Sequence, residues 1–368
     1  MKFSVNKNSL LEALQKVHSV VEKKNTVPIL ANILCVAEKD KLSLAATDLE
    51  VGIKVSLPVE TQQEGKITLS AKHFIEIVKE LPDKPLFITK KNNDWVEIVC
   101  QKSRFNIVSL PAQEYPTLPS FEQKKNINCR AEALTDMINK TSFAVSSDAT
   151  RYHLNGVYFE PLKNNIMRMI ATDGHRLSFI DQEIFEEVPE LKRGLIIPKK
   201  GLGELKKLLD QSEGHLKISF DRGYFFANIN ENYLFIRLIE GEYPDYRQVI
   251  PKETKNEIVL DRDGLISALR RVSLLSHEKS RGVKLKIQNG EMSIHSSNPD
   301  MGEACEEIDI EYSGEPIEIG FNAKYLLDCL PVIESDKLRI KIKDRLSPGI
   351  LQGYDQKNHT YVIMPMRI

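Results

Sequence analysis

The 368-residue chain has no run of about 18 consecutive apolar residues, so nothing in it reads as a membrane-spanning helix. Its first residues, Met1 to Asn8, are polar and lack the apolar core of a secretion signal. Cysteine is scarce: Cys35, Cys100, Cys129, Cys305 and Cys329 are odd in number, and none stands in a C-x-x-C pair. That pattern argues against a zinc site or a disulfide framework and for free, mostly buried thiols in a reducing cytoplasm. Net charge is nearly absent too, since 51 Lys and Arg against 52 Asp and Glu leave −1. Without a global positive field, a protein that simply coats nucleic acid or an anionic membrane is disfavoured. A local basic surface offset by acid elsewhere remains compatible.

Catalytic signatures are missing as well. The chain has no G-x-S-x-G elbow, no H-E-x-x-H, no histidine pair at i, i+4 and no G-x-x-x-x-G-K-[ST]. Gly201-Leu202-Gly203 lacks the third glycine of a dinucleotide fingerprint, and Ser276-x-x-Lys279 lacks the companion motifs of acyl-transfer enzymes. No catalytic residue, metal ligand or cofactor is expected. One stretch does look reactive: IATDGHRLSF, from Ile170 to Phe179. Asp173 and His175 beside each other suggest acid–base chemistry, which keeps a hydrolase as an alternative reading.

What the chain has in plenty is itself. Ala46-Thr47-Asp48 recurs 125 residues later as Ala171-Thr172-Asp173, and Ser296-Ser297-Asn298 stands a further 125 residues on. Each turn follows a short alternating strand: Lys41 to Ala45, Ile166 to Ile170, Glu291 to His295. Upstream of each lies an amphipathic helix. The first carries Leu10, Leu14, Val17 and Val21 at helical spacing, with Ser9-x-x-Glu12 as a capping box. The second carries Leu134, Met137 or Ile138, Thr141 and Val145. In the third, Asp263 precedes Leu265, Leu269 and Val272. A second helix follows each turn, marked by Phe74, Val78 and Leu81, then Leu202, Leu205 and Leu209, then Leu326, Leu330 and Ile333. Glu114-Tyr115-Pro116 and Glu242-Tyr243-Pro244 close the first two copies.

The fold class is therefore α+β, with three copies of one unit of two helices and roughly six to eight strands. Joints fall in Thr117–Lys125 and Ile250–Asn256, giving domains 1–122, 123–252 and 253–368. Such a stack leaves an unsatisfied surface at each end, and two stacks joined head to tail close by symmetry. The repeat also reinterprets the reactive stretch. Thr-Asp is common to two copies and reads as a structural turn. His175 and Arg176 belong to the second copy alone. The apolar tail YVIMPMRI, with Met364, Pro365 and Met366, suits an edge strand beside an adaptable peptide-binding surface.

Seven ordered motifs carry a resemblance over the whole chain. They are NTVPILANIL (Asn25 to Leu34), RYHLNGVYFE (Arg151 to Glu160), ATDGHRLS (Ala171 to Ser178), YPDYRQVIP (Tyr243 to Pro251), EKSRGVKL (Glu278 to Leu285), EIGFNAKYLLD (Glu318 to Asp328) and VIMPMRI. With these the chain resembles the bacterial sliding clamps, the β subunits of DNA polymerase III.

The resemblance implies three DNA-clamp domains per chain, each with two helices packed on antiparallel sheets, and a head-to-tail homodimer ring. Helices would line the hole and sheets the outer wall. The ring would encircle double-stranded DNA without reading its sequence, tether the polymerase and catalyse nothing itself. A peptide-binding scaffold that never encircles DNA is the remaining alternative. Weak phosphate contacts would come from Lys24, Lys72, Lys199 and Lys200.

By the same resemblance the reactive stretch is a partner-peptide pocket. Its apolar part would use Leu154, Thr172, Gly174, His175, Arg176 and Leu177 with Pro244, Val249, Val362 and Met364. A second patch would use Arg151, Tyr152, Asn322 and Tyr325 with Pro365, Met366 and Arg367. His175 and Arg176 would supply polar edges. The DNA polymerase III alpha subunit, the clamp loader with its delta subunit, other polymerases and repair proteins would compete for the pocket. Dimer contacts would join Phe105 and Ile107, on the strand Arg104 to Leu110, to Leu274 and Leu275. His153, Gln248 and Pro348-Gly349 depart from the family pattern near the pocket, which bears on peptide preference.

Overall fold

The structure, a computed structural model, describes residues 1–21, 27–119, 126–185, 191, 193–210, 214–221 and 223–367. Among them are six α-helices and 25 strands. The helices are α1 (Lys7–His18), α2 (Ala71–Glu80), α3 (Ala131–Thr141), α4 (Lys199–Leu209), α5 (Arg262–Val272) and α6 (Ala323–Cys329). Two helices fall in each of the three repeats, and nine, eight and eight strands accompany them. The first copy thus exceeds the expected six to eight strands, because its chain makes an additional short strand, Glu60–Gln63.

Helix starts follow side-chain caps. Asn6 caps α1, its Oδ1 accepting from the Asn8 and Ser9 amides at 2.9 and 3.2 Å. This corrects the Ser9–Glu12 capping box: Ser9 already lies in the first turn, and Glu12 instead pairs with Lys16 at 2.8 Å. At α5 the cap is Asp261, which accepts from the Gly264 amide at 2.6 Å. α6 stops at Cys329 because Pro331 has no amide proton to continue it. Leu330 and Ile333, expected on its face, reach the core through the tighter turn Leu330–Val332.

The chain forms two compact units. One comprises residues 1–132, 185–187 and 200–238; the other comprises 133–184, 188–199 and 239–368. Each holds one long antiparallel sheet, of 13 strands in the first and 12 in the second. In the first unit Leu10, Leu14 and Val17 of α1 and Phe74 and Val78 of α2 are fully buried. Burial of each contributes about 1.5–3 kcal/mol over exposure. In the second unit Leu265, Leu269 and Val272 of α5 pack with Leu326 and Cys329 of α6 over the strands Gly282–Gln288 and Glu291–Asn298.

Sheet continuity between repeats follows one rule. Each repeat has an early four-stranded group and a later one, with Glu60–Gln63 added as a fifth strand to the later group of the first repeat. In the first unit, strand Val51–Pro58 of the first repeat pairs antiparallel with Asn232–Arg237 of the second, with Ile53 opposite Leu234. In the second unit, strand Arg176–Gln182 of the second repeat pairs with His359–Ile363 of the third, with Leu177 opposite Val362. The rule leaves two strands over. Ser103–Leu110 of the first repeat pairs with Trp95–Cys100 on one side, and on the other only Ser109 and Leu110 pair, with Leu69 and Thr68. Gly302–Glu311 of the third repeat pairs with Glu291–Asn298, and on its other side only Ile310 and Glu311 pair. Among the described residues each of these two strands therefore has a long open edge.

Candidate partner-docking site

The two Thr-Asp turns are the same object bond for bond. Thr47 Oγ1 donates to the Val51 carbonyl at 2.9 Å and accepts from the Leu49 amide at 3.0 Å. Thr172 Oγ1 donates to the Arg176 carbonyl at 2.6 Å and accepts from the Gly174 amide at 3.1 Å. Asp48 Oδ1 accepts from the amides of Glu50 and Val51, and Asp173 Oδ1 from those of His175 and Arg176. Leu49 and Gly174 occupy the same left-handed position, at φ 78° and 89°. In the second turn the glycine matters for space too, because a Cβ at Gly174 would stand 2.8 Å from an Arg151 guanidinium nitrogen.

The second carboxylate oxygens are also engaged. Asp48 Oδ2 takes Lys200, and Asp173 Oδ2 takes Arg176 Nε at 3.0 Å. Asp173 is thus saturated by its own turn and cannot orient or relay for His175, whose ring lies exposed. The hydrolase reading fails on this geometry. Among the described residues no cluster of three His, Cys, Asp or Glu side chains could hold a metal ion.

Arg176 is not a polar edge but a buried strut, and this corrects the expectation. Only 7% of it is exposed. Besides Asp173, its guanidinium donates to Asp328 Oδ2 and the Phe143 carbonyl, both at 2.7 Å. It lies 4.5 Å from the centre of the Tyr325 ring. Burial alone disfavours the cation, but the influence of Tyr361, the Asp328 hydrogen bond and the two carboxylates outweigh it and hold the pKa above its usual value. Sequence spacing could not reveal this, since Asp328 and Phe143 lie 152 and 33 residues away.

Around the strut the remaining residues fall into two groups. Leu177 and Val362 face each other across the strand pair and are buried with Ile170, Tyr246 and Ile350. Leu154 is also buried, whereas Val249, Met364 and Tyr152 are 42%, 38% and 57% exposed, and Pro244 is exposed. The Met364 amide donates to the His175 carbonyl at 2.9 Å, which carries the tail along the turn. The Met366 amide donates to the Gly320 carbonyl at 2.8 Å, fixing Pro365 between two anchored amides. Asn322 caps α6 and donates to the Ser280 carbonyl, so its side chain is structural. Arg151 pairs with Asp148, and Arg367 is exposed. Tyr243 stacks on Tyr158 at 4.8 Å, and burial pushes its hydroxyl pKa well up.

Of the lysines, Lys72 is exposed on α2 and Lys199 is exposed at the start of α4. Lys200 is half-buried and held by Asp48. Lys24 lies outside the described residues. At the open edges Phe105 is 37% and Leu274 74% exposed, while Ile107 and Leu275 are half-buried. Sequence reading missed the strand Gly302–Glu311 as an edge. Its signal is the carboxylate series Glu303, Glu307 and Asp309, exposed at alternate positions.

Comparison with known proteins agrees with this architecture. Family models of the DNA polymerase III beta subunit match the chain in order: the N-terminal domain at residues 1–119, the central domain at 128–245 and the C-terminal domain at 247–367. A Pseudomonas putida beta sliding clamp is 36% identical, with all of both chains covered. Crystal structures of the DNA polymerase sliding clamps of Pseudomonas aeruginosa and Caulobacter crescentus match over all of both chains, each with a TM-score of 0.94 and with 36% and 35% identity. No helix among the described residues is long and apolar enough to cross a membrane. The chain belongs to the DNA polymerase III beta subunit family, the sliding clamps, which are non-catalytic processivity factors of DNA replication.

Proposed function

We propose that two copies of this chain close into a ring around duplex DNA, in the cytoplasm, and tether the replicative polymerase there. The observation that carries the reading is the pair of open edges. Domains 1–122, 123–252 and 253–368 join through two strand pairings of one kind, and the same pairing is left unmade at both ends. A second copy supplies both missing partners, giving a closed head-to-tail dimer. Lys102 and Arg104 flank one edge, and Glu303, Glu307 and Asp309 lie along the other, so the two are complementary in charge. Phe105 and Ile107 then meet Leu274 and Leu275, which removes exposed apolar surface and covers an edge that otherwise invites aggregation.

A ring holds DNA by topology and needs little affinity. That reconciles a DNA-tracking role with a net charge of −1. Lys24, Lys72 and Lys199 serve as exchangeable phosphate contacts, with Lys200 in reserve because Asp48 engages it. Sequence-independent contacts of this kind position without specifying.

Partners dock on the surface around the Arg176 strut. Val249, Met364 and Pro244 offer the apolar part, and Tyr152, Arg151, Tyr325, Met366 and Arg367 the second patch. The DNA polymerase III alpha subunit, the delta subunit of the clamp loader, other polymerases and repair proteins compete there through short peptides. A primer-extension assay with the cognate polymerase and clamp loader tests the proposal. Parent protein should lengthen products many-fold, and Leu274→Glu with Leu275→Glu should abolish the gain. Full processivity from that folded variant would refute the ring.

A further inference from the structure

The repeat allows the two strand junctions to be compared residue by residue. At the second junction, Tyr158, Ile170 and Phe179 lie side by side across three strands, because Tyr158 is opposite Ile170 and Ile170 opposite Phe179. With Tyr243, Tyr246, Ile350 and Val362 they pack into one apolar cluster. At the first junction the same register places Leu34 opposite Ala45 and Ala45 opposite Lys54. A tyrosine, an isoleucine and a phenylalanine are thus replaced by a leucine, an alanine and a lysine whose side chain is exposed.

The volume lost is visible. A cavity of about 480 Å3 opens at these positions, within the ~300–1,000 Å3 range of small-ligand sites. Its walls include Tyr115, Leu118, Phe226, Tyr233 and Phe235, which are apolar or aromatic. Gly52 helps to shape it: a Cβ there would fall 2.0 Å from the Phe235 ring, so only glycine lets that ring lie across the strand. Among the described residues the lining holds two cations, Lys54 and Lys66, and no carboxylate.

We propose that this first-junction cavity is a second docking site, distinct from the surface around Arg176. Its occupant is a short peptide segment of a partner protein, with bulky apolar side chains followed by carboxylates. The apolar side chains fill the space that the rings take at the second junction, and the carboxylates meet Lys54 and Lys66. Aromatic walls favour such side chains through both area and ring geometry. The proposal does not depend on the second-junction reading, and its failure is separable from that one.

The test uses the full-length protein and a panel of fluorescein-labelled tetrapeptides. Two residues drawn from Leu, Phe and Trp precede Asp-Asp, and matched controls carry Asn-Asn. Fluorescence anisotropy should find binding tighter than ~1 mM for at least one Asp-Asp peptide, weakened several-fold in its Asn-Asn control. Leu34→Tyr with Ala45→Ile, which rebuilds the second-junction packing, should weaken binding at least about tenfold. Lys54→Glu, at an exposed position, should erase the preference for Asp over Asn whether or not the filled variant folds. Met364→Glu should leave this binding unchanged. No binding by any peptide, or binding lost in Met364→Glu but kept in Lys54→Glu, would overturn the proposal.

Discussion

His359 gives a stability prediction whose size can be worked from the structure. The residue is 1% exposed on the strand that joins the second and third repeats, opposite Ile180. Its Nε2 lies 3.1 Å from Ser178 Oγ, and that hydroxyl donates to the Lys140 carbonyl at 2.5 Å. The serine proton is therefore spent, so the ring donates from Nε2. Burial, then the nearby Lys140 ammonium, lower the His359 pKa from 6.5 to about 4. A depressed histidine favours the neutral folded state. Its contribution is present above pH 6.5 and is lost as pH falls toward 4, because the unfolded chain takes up the proton first. Between pH 7 and pH 5 the linkage amounts to roughly 2 kcal/mol. The assay is urea unfolding at both pH values for the parent and for His359→Gln. The parent should lose roughly 2 kcal/mol more than the variant over that interval. Equal losses would mean that the ring titrates normally and that its burial does not disfavour the charged form.

Three further outcomes follow from the same geometry. Arg176→Met leaves Asp173 and Asp328 without their cation and should cost about 3–5 kcal/mol in unfolding free energy, against under 1 kcal/mol for a surface pair; a cost of the smaller size would refute the strut. Leu274→Glu with Leu275→Glu should give folded monomers by sedimentation, and a persistent dimer would remove the proposed interface. Met364→Glu should weaken binding of an apolar polymerase-derived peptide about tenfold or more while leaving the unfolding transition in place, and unchanged affinity would move the docking surface elsewhere.

The sequence carried the periodic and the repeated. The Thr-Asp turns were legible because a short Asp side chain caps a turn locally, and both copies make identical bonds. Helices α1 to α5 were legible from their buried faces, although Val21, Leu81 and Val145, expected on α1, α2 and α3, lie past the ends of those helices. Caps were less so, because Asn6 and Ser9 are both good capping residues and only the backbone decides between them. The burial of Arg176 was invisible, since an arginine after a turn normally points to water and its partners come from distant segments. The open edge Gly302–Glu311 was missed because alternate carboxylates look like any solvated strand face. The cavity at Ala45 could be seen only once both junctions were placed in register.

Topological linkage is the central claim, and one measurement addresses it directly. The protein is loaded by its clamp loader and ATP onto nicked circular DNA, and retention is followed before and after a single cut. A ring slides off the new ends, so retention should collapse on linearisation and depend only shallowly on salt beforehand. Equal retention on circle and line, falling steeply with salt as phosphate-bound proteins do, would mean ordinary affinity and would contradict the ring.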